Sequence, residues 1–140
     1  MHDFVRSATR LRKDHLYAFA PATYGGGAPF AWKSADNTDA VNWTGKNVMI
    51  HYYDRTAGPE LAILINMEDR WVNFQLPPGR KWRRLIDTQQ YFDTPEYFTS
   101  VNAPLPLRTS ANASLDAPVP VTTAAYNVST RSLVVLEAAP

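Results

Sequence analysis

Glu60-Leu-Ala-Ile-Leu-Ile-Asn-Met-Glu-Asp-Arg-Trp-Val-Asn-Phe-Gln-Leu-Pro77 is the stretch on which the fold turns. Leu61 to Ile65 form an unbroken apolar run of strand length, and Asn66 to Arg70 interrupt it with polar residues. Trp71 to Leu76 then alternate loosely before Pro77, Pro78 and Gly79 stop the chain. Proline offers no ladder donor and glycine supplies turn geometry, so the second strand ends there. Two strands about a short polar turn predict a hairpin. The first strand has little polar character on either side and belongs in the interior of a sheet.

Further strands are predicted on both sides of this unit. Val48 to Tyr53 alternate, with Val48, Ile50 and Tyr52 on one side and Met49, His51 and Tyr53 on the other. Phe30 to Lys33 read as a short edge strand, Trp82 to Asp87 and Arg131 to Glu137 as full strands, and Val119 to Tyr126 as a strand weakened by Pro120. Leu16 to Phe19 is also expected to be a short strand. Gly25-Gly-Gly27 reads as a linker, since a phosphate cradle needs a following helix and usually a lysine. The residues from Thr88 to Arg108 are irregular, with Tyr91, Phe92, Tyr97 and Phe98 expected to pin them to the surface.

Only the N-terminus has helical spacing. Phe4, Val5, Ala8 and Leu11 form an apolar stripe that His15 continues, while Arg6, Ser7, Arg10, Lys13 and Asp14 fill much of the other side. So short a helix is marginal alone. It must pack either on the strands of this chain or on a domain upstream. The expected fold is all-β: an antiparallel, Greek-key-like sandwich of about six to eight strands, preceded by one short N-terminal α-helix. The helix is residues 1–15 and the sandwich residues 16–140.

The 140 residues suffice for one domain with a real core. A net charge of +1 gives no nucleic-acid footprint, and no apolar run approaches a membrane span. Neither partner is expected. With no cysteine there is neither a disulfide framework nor a thiolate metal site. The histidines, His2, His15 and His51, stand on a terminus, a helix and a strand without metal-ligand spacing. No metal and no cofactor are expected.

No nucleophile turn is present either. The acids Asp54, Glu60, Glu68, Asp69, Asp87 and Glu96 read mostly as turn residues, solvated or capping their own backbone. The remaining chemistry is aromatic, because an indole suits the apolar side of a pyranose. Trp71 and Trp82, inside strands, are expected in the core. Trp32 and Trp43, beside loops, are the candidate ligand-binding residues. Asn42, Asn112 and Asn127 open Asn-x-Ser/Thr patterns that matter only in a glycosylating compartment.

Several segments together resemble a known family. Leu11-Arg-Lys-Asp-His15 is similar to the segment that closes the catalytic barrel in many α-amylase-family enzymes. Leu61-Ala-Ile-Leu-Ile-Asn66, Val72-Asn-Phe-Gln-Leu-Pro77, Trp82-Arg-Arg-Leu-Ile-Asp-Thr88 and Tyr126-Asn-Val-Ser-Thr-Arg-Ser-Leu-Val-Val-Leu136 resemble, in this order, the C-terminal β-sandwich of the isoamylase and glycogen-debranching branch. Residues 24–47 lie where isoamylase relatives hold a loop with tryptophans and acids.

The resemblance implies a cytoplasmic glycoside hydrolase that cleaves α-1,6 branch points, of which this chain is a terminal piece. The barrel motifs carrying such an enzyme's catalytic acids are absent, so no catalytic residue carries over. The expected role is non-catalytic support of the barrel, met through Phe4, Val5 and Leu11. The alternative is a stand-alone module that binds α-glucan through Trp32 and Trp43.

Overall fold

A computed structural model describes residues 2–21, 28–88 and 115–140. Two helices come first, α1 (His2–Asp14) and α2 (Leu16–Phe19). Eight strands follow: β1 (Phe30–Lys33), β2 (Asn47–Tyr52), β3 (Leu61–Asn66), β4 (Val72–Gln75), β5 (Trp82–Asp87), β6 (Val119–Val121), β7 (Ala125–Val128) and β8 (Ser132–Ala138). The domain is all-β, with two antiparallel sheets after a short N-terminal helix. One sheet has six strands in the order β1-β2-β3-β8-β5-β6, and the other pairs β4 with β7. Among the described residues no helix is long and apolar enough to cross a membrane.

The six-stranded sheet is the middle layer. Its inner residues Met49, Ala62, Leu64, Trp82, Val134 and Leu136 meet Phe74, Leu76 and Val128 of the small sheet and its flanks. Its other side carries Tyr52, Leu61, Leu85, Ile86 and Val135, on which Leu11 closes, with Phe4, Ala8 and Phe19 packed around them. β3 lies between β2 and β8, as its apolar run requires. Both of its sides are covered, and Leu61, Ala62 and Leu64 are fully buried.

The expected hairpin is corrected. β3 and β4 do not pair; β4 joins β7, with Val72 opposite Val128 and Phe74 opposite Tyr126. The polar link 67–71 crosses from one sheet to the other. The side chain of Asn66, wholly buried, fixes the crossing: its Nδ2 donates to the carbonyls of Arg70 (2.9 Å), Val128 (3.1 Å) and Ser129 (2.9 Å). Its Oδ1 accepts the Glu68 amide at 2.9 Å. One amide therefore ties the backbone of the link after β3 to that of the turn between β7 and β8.

Other expectations are revised in the same way. Leu16–Phe19 is helical, with Ala20 N donating to Leu16 O; a four-residue apolar run carries no period to separate helix from strand. The expected strand 119–126 is two strands on different sheets, β6 against β5 and β7 against β4. In β5 a bulge at Leu85 turns both Leu85 and Ile86 to the helix side and leaves Asp87 opposite Val134. The expectations for Gly25-Gly-Gly27, for 89–108 and for Asn112 lie outside the described residues.

α1 packs on the sheet of this chain. Phe4, Ala8 and Leu11 point inward, Leu11 only 4% exposed, while Val5 is 55% exposed. His15 ends the stripe and ties it down. Its Nε2 lies 2.9 Å from Glu137 Oε1 and its Nδ1 3.0 Å from the Leu11 carbonyl.

Candidate functional site

Among the described residues the edge strand β1 pairs only with β2, and this sets Phe30 opposite Tyr52 and Trp32 opposite Ile50. The loop from Ser34 to Lys46 then brings Trp43 back onto Trp32. It is held by short polar contacts: Ser34 N donates to Thr38 O at 2.8 Å, and Lys33 Nζ meets Asp39 Oδ1 at 2.6 Å. Asn37 takes the left-handed conformation, φ 58°, which asparagine tolerates well. Asn42 Oδ1 accepts both the amide (3.1 Å) and the hydroxyl (2.8 Å) of Thr44, fixing the turn that carries Trp43.

Three rings meet in succession. Phe30 and Trp32 meet edge-to-face at 6.3 Å and 83°, and Trp32 and Trp43 at 5.6 Å and 65°. Trp32 is 41% and Trp43 70% exposed. Beside them Phe19, Pro21, Ile50 and Ile63 line an apolar cavity of about 230 Å³. The two indoles are angled, so they offer a bent surface rather than a flat one. A bent chain of pyranose rings can stack on such a pair.

The structure thus joins the two tryptophans singled out in the sequence and adds Phe30, which the sequence reading did not single out. The signal for Phe30 is its place two residues before Trp32 in a strand, which puts both on one side. The two strand tryptophans part company. Trp82 is buried, its Nε1 donating to Pro77 O at 3.0 Å, but Trp71 is 54% exposed. Trp71 is in phase with the exposed Asn73 and Gln75, not with the buried Phe74.

Two of the acids expected at solvated turns are buried instead: Glu60 at 2% and Asp87 at 6% exposure. Glu60 is in phase with Ala62 and Leu64, so it enters the space between the sheets. There Arg80 Nε donates to Oε1 at 2.5 Å, and His51 Nε2 lies 3.1 Å from Oε2. Burial alone would raise the Glu60 pKa, but the hydrogen bonds from Arg80 and His51 outweigh it and hold the carboxyl below its usual range. Burial lowers the His51 pKa against the pull of Glu60.

On the opposite side of the sheet Glu137 repeats the pattern. Its Oε1 meets His15, and its Oε2 accepts from Arg83 Nε at 2.7 Å. Asp87 Oδ2 accepts the Tyr126 hydroxyl at 2.7 Å, and Arg84 Nη1 donates to that hydroxyl at 3.2 Å. Burial and the nearby Asp87 charge push the Tyr126 pKa up to about 12.

These groupings cross-link the sheets and helix. Among the described residues no group of three or more His, Cys, Asp or Glu could hold a metal ion. No protein-family model matches the chain, and no curated protein matches it.

Proposed function

We propose that this chain is the non-catalytic C-terminal accessory domain of a cytoplasmic, isoamylase-type enzyme of the α-amylase family that hydrolyses α-1,6-glucan branch points, and that it stabilises the catalytic barrel. One observation carries this reading: the segments that resemble the family are hydrogen-bonded to one another. Asn66, ending the first, holds Val128 and Ser129 of the last. Pro77, ending the second, accepts from Trp82 of the third. Asp87 and Thr88, ending the third, bind Tyr126 and the Leu133 amide of the last, the latter at 3.0 Å. Bonds of this kind hold the four segments in one fold, which supports a structural role. Among the described residues of the two helices, Val5 and Leu16, each 55% exposed, are available to meet a barrel.

The purified chain, incubated with glycogen, is expected to release no new reducing ends; robust turnover would overturn the proposal. The genomic reading frame upstream of Met1 is expected to encode a barrel in frame.

A second reading, an α-glucan-binding module, is favoured by the Trp32–Trp43 contact. Native electrophoresis through glycogen separates the two. Retardation abolished by Trp43→Ala supports binding, and free migration leaves the supporting role alone.

A further inference from the structure

The outer side of the small sheet carries a second arrangement, independent of the edge-strand tryptophans. Exposure alternates from Trp71 to Gln75: Trp71, Asn73 and Gln75 face out, while Phe74 is buried. Asn127, also exposed, stands directly across from Asn73 in the ladder. The amides are joined in a row. Gln75 Nε2 donates to Asn73 Oδ1 at 2.9 Å, and Asn73 Nδ2 donates to Asn127 Oδ1 at 2.6 Å. Among the described residues the row leaves a donor at one end, Asn127 Nδ2, and an acceptor at the other, Gln75 Oε1.

From these contacts we propose that this side binds a neutral polysaccharide, with Trp71 stacked on a pyranose ring and the Asn127, Asn73 and Gln75 amides bonding its hydroxyls. The chemistry fits on four counts. A sugar hydroxyl both donates and accepts, which matches the two free ends of the row. The row already fixes its side chains, so less rotamer entropy is lost on binding. Trp71, Asn73, Gln75 and Asn127 carry no charge, which favours a neutral ligand over a phosphate or a charged peptide. At about 3.3 Å per residue, Trp71 and Gln75 lie about 13 Å apart along the strand, enough for several linked rings rather than one.

The test is native affinity electrophoresis of the full chain through three soluble probes: glycogen, mixed-linkage β-glucan and dextran. At least one is expected to retard the chain. In that probe Trp71→Ala and Asn127→Ala are each expected to weaken binding by about fivefold or more. Thermal melts check that the variants fold, and Gln75→Ala replaces either one that melts lower. Free migration in all three probes overturns the proposal. So does retardation that survives Trp71→Ala and Gln75→Ala but is lost in Trp43→Ala, a result that would place binding on the edge strand instead.

Discussion

Glu60 and Glu137 occupy opposite sides of the six-stranded sheet at the same end, each held between a histidine and an arginine. Glu137 is paired in register with Leu61, the neighbour of Glu60, and the Ala138 amide donates to Glu60 O at 2.9 Å. From there the side chains diverge. Glu60 meets His51 and Arg80 between the sheets, and Glu137 meets His15 and Arg83 beneath the helix. The two clusters fasten the middle layer to its neighbours.

The Glu137 cluster anchors α1. Glu137→Ala leaves His15 facing an unfilled polar site and frees Arg83, at an expected cost of about 1–3 kcal/mol. The loss is local, so trypsin is expected to cut at Arg12 and Lys13 well before global unfolding. Asp116→Ala breaks the Arg10–Asp116 pair, whose side chains are 52% and 82% exposed, and is expected to leave the urea midpoint unchanged.

The Glu60 cluster sets an acid limit. Burial depresses the His51 pKa below 6.5; the charges of Lys33 and Arg80 act with it, and Glu60 opposes it. The unfolded chain therefore takes up that proton first, and stability falls as pH drops from 6.5 towards the lower folded value. Glu60, depressed from 4.5, contributes stability that is complete above that pH and is lost as pH falls through its folded value. Melting temperature is expected to be highest near neutrality and to decline on acidification. His51→Gln should flatten the decline just below pH 6.5 and leave the Glu60 part below pH 4.5.

Asn66 serves two loops with one amide. Asn66→Ala removes the donor from three carbonyls and the acceptor for Glu68 N, at an expected cost of about 3 kcal/mol in urea unfolding. Asn66→Asp is nearly the same shape but turns acceptor against acceptor at those carbonyls. It should destabilise at least as much, and equal stability of Asp and Asn would refute the role given to the amide.

Gly58 is needed for space. A Cβ there would run into the ring of Tyr17, which meets Tyr52 edge-to-face at 5.2 Å and whose hydroxyl donates to Pro59 O at 2.9 Å. Gly58→Ala must push Tyr17 off this site, costing about 1–3 kcal/mol. A Tyr17→Ala background should relieve most of that, so the double mutant is expected to be less destabilised than the sum of the singles.

The strands themselves were legible. Val48–Tyr53, Leu61–Ile65, Trp82–Asp87 and Arg131–Glu137 announced themselves by alternation or by unbroken apolar runs. The sites were less so. Trp32 and Trp43 were visible as loop-side indoles, but nothing local said that they touch. Trp71 lies outside the core against expectation, because the phase it shares with Asn73 and Gln75, and not the apolar character of its strand, sets its side. Glu60 is buried against expectation, because a carboxylate beside Gly58-Pro59 has the local marks of a turn residue and its partners Arg80 and His51 are brought to it only by the fold.

Sequence alone determined where backbone could extend, where proline and glycine had to break it, and which helical stripe needed cover, since these follow from residue type and period. Only the tertiary structure decided the partners. β4 left β3 for β7, residues 119–128 divided between two sheets, and Leu11 closed on this chain's own sheet. Those choices rest on packing between distant residues, and on one buried amide that bonds across more than sixty positions, neither of which leaves a mark on local sequence.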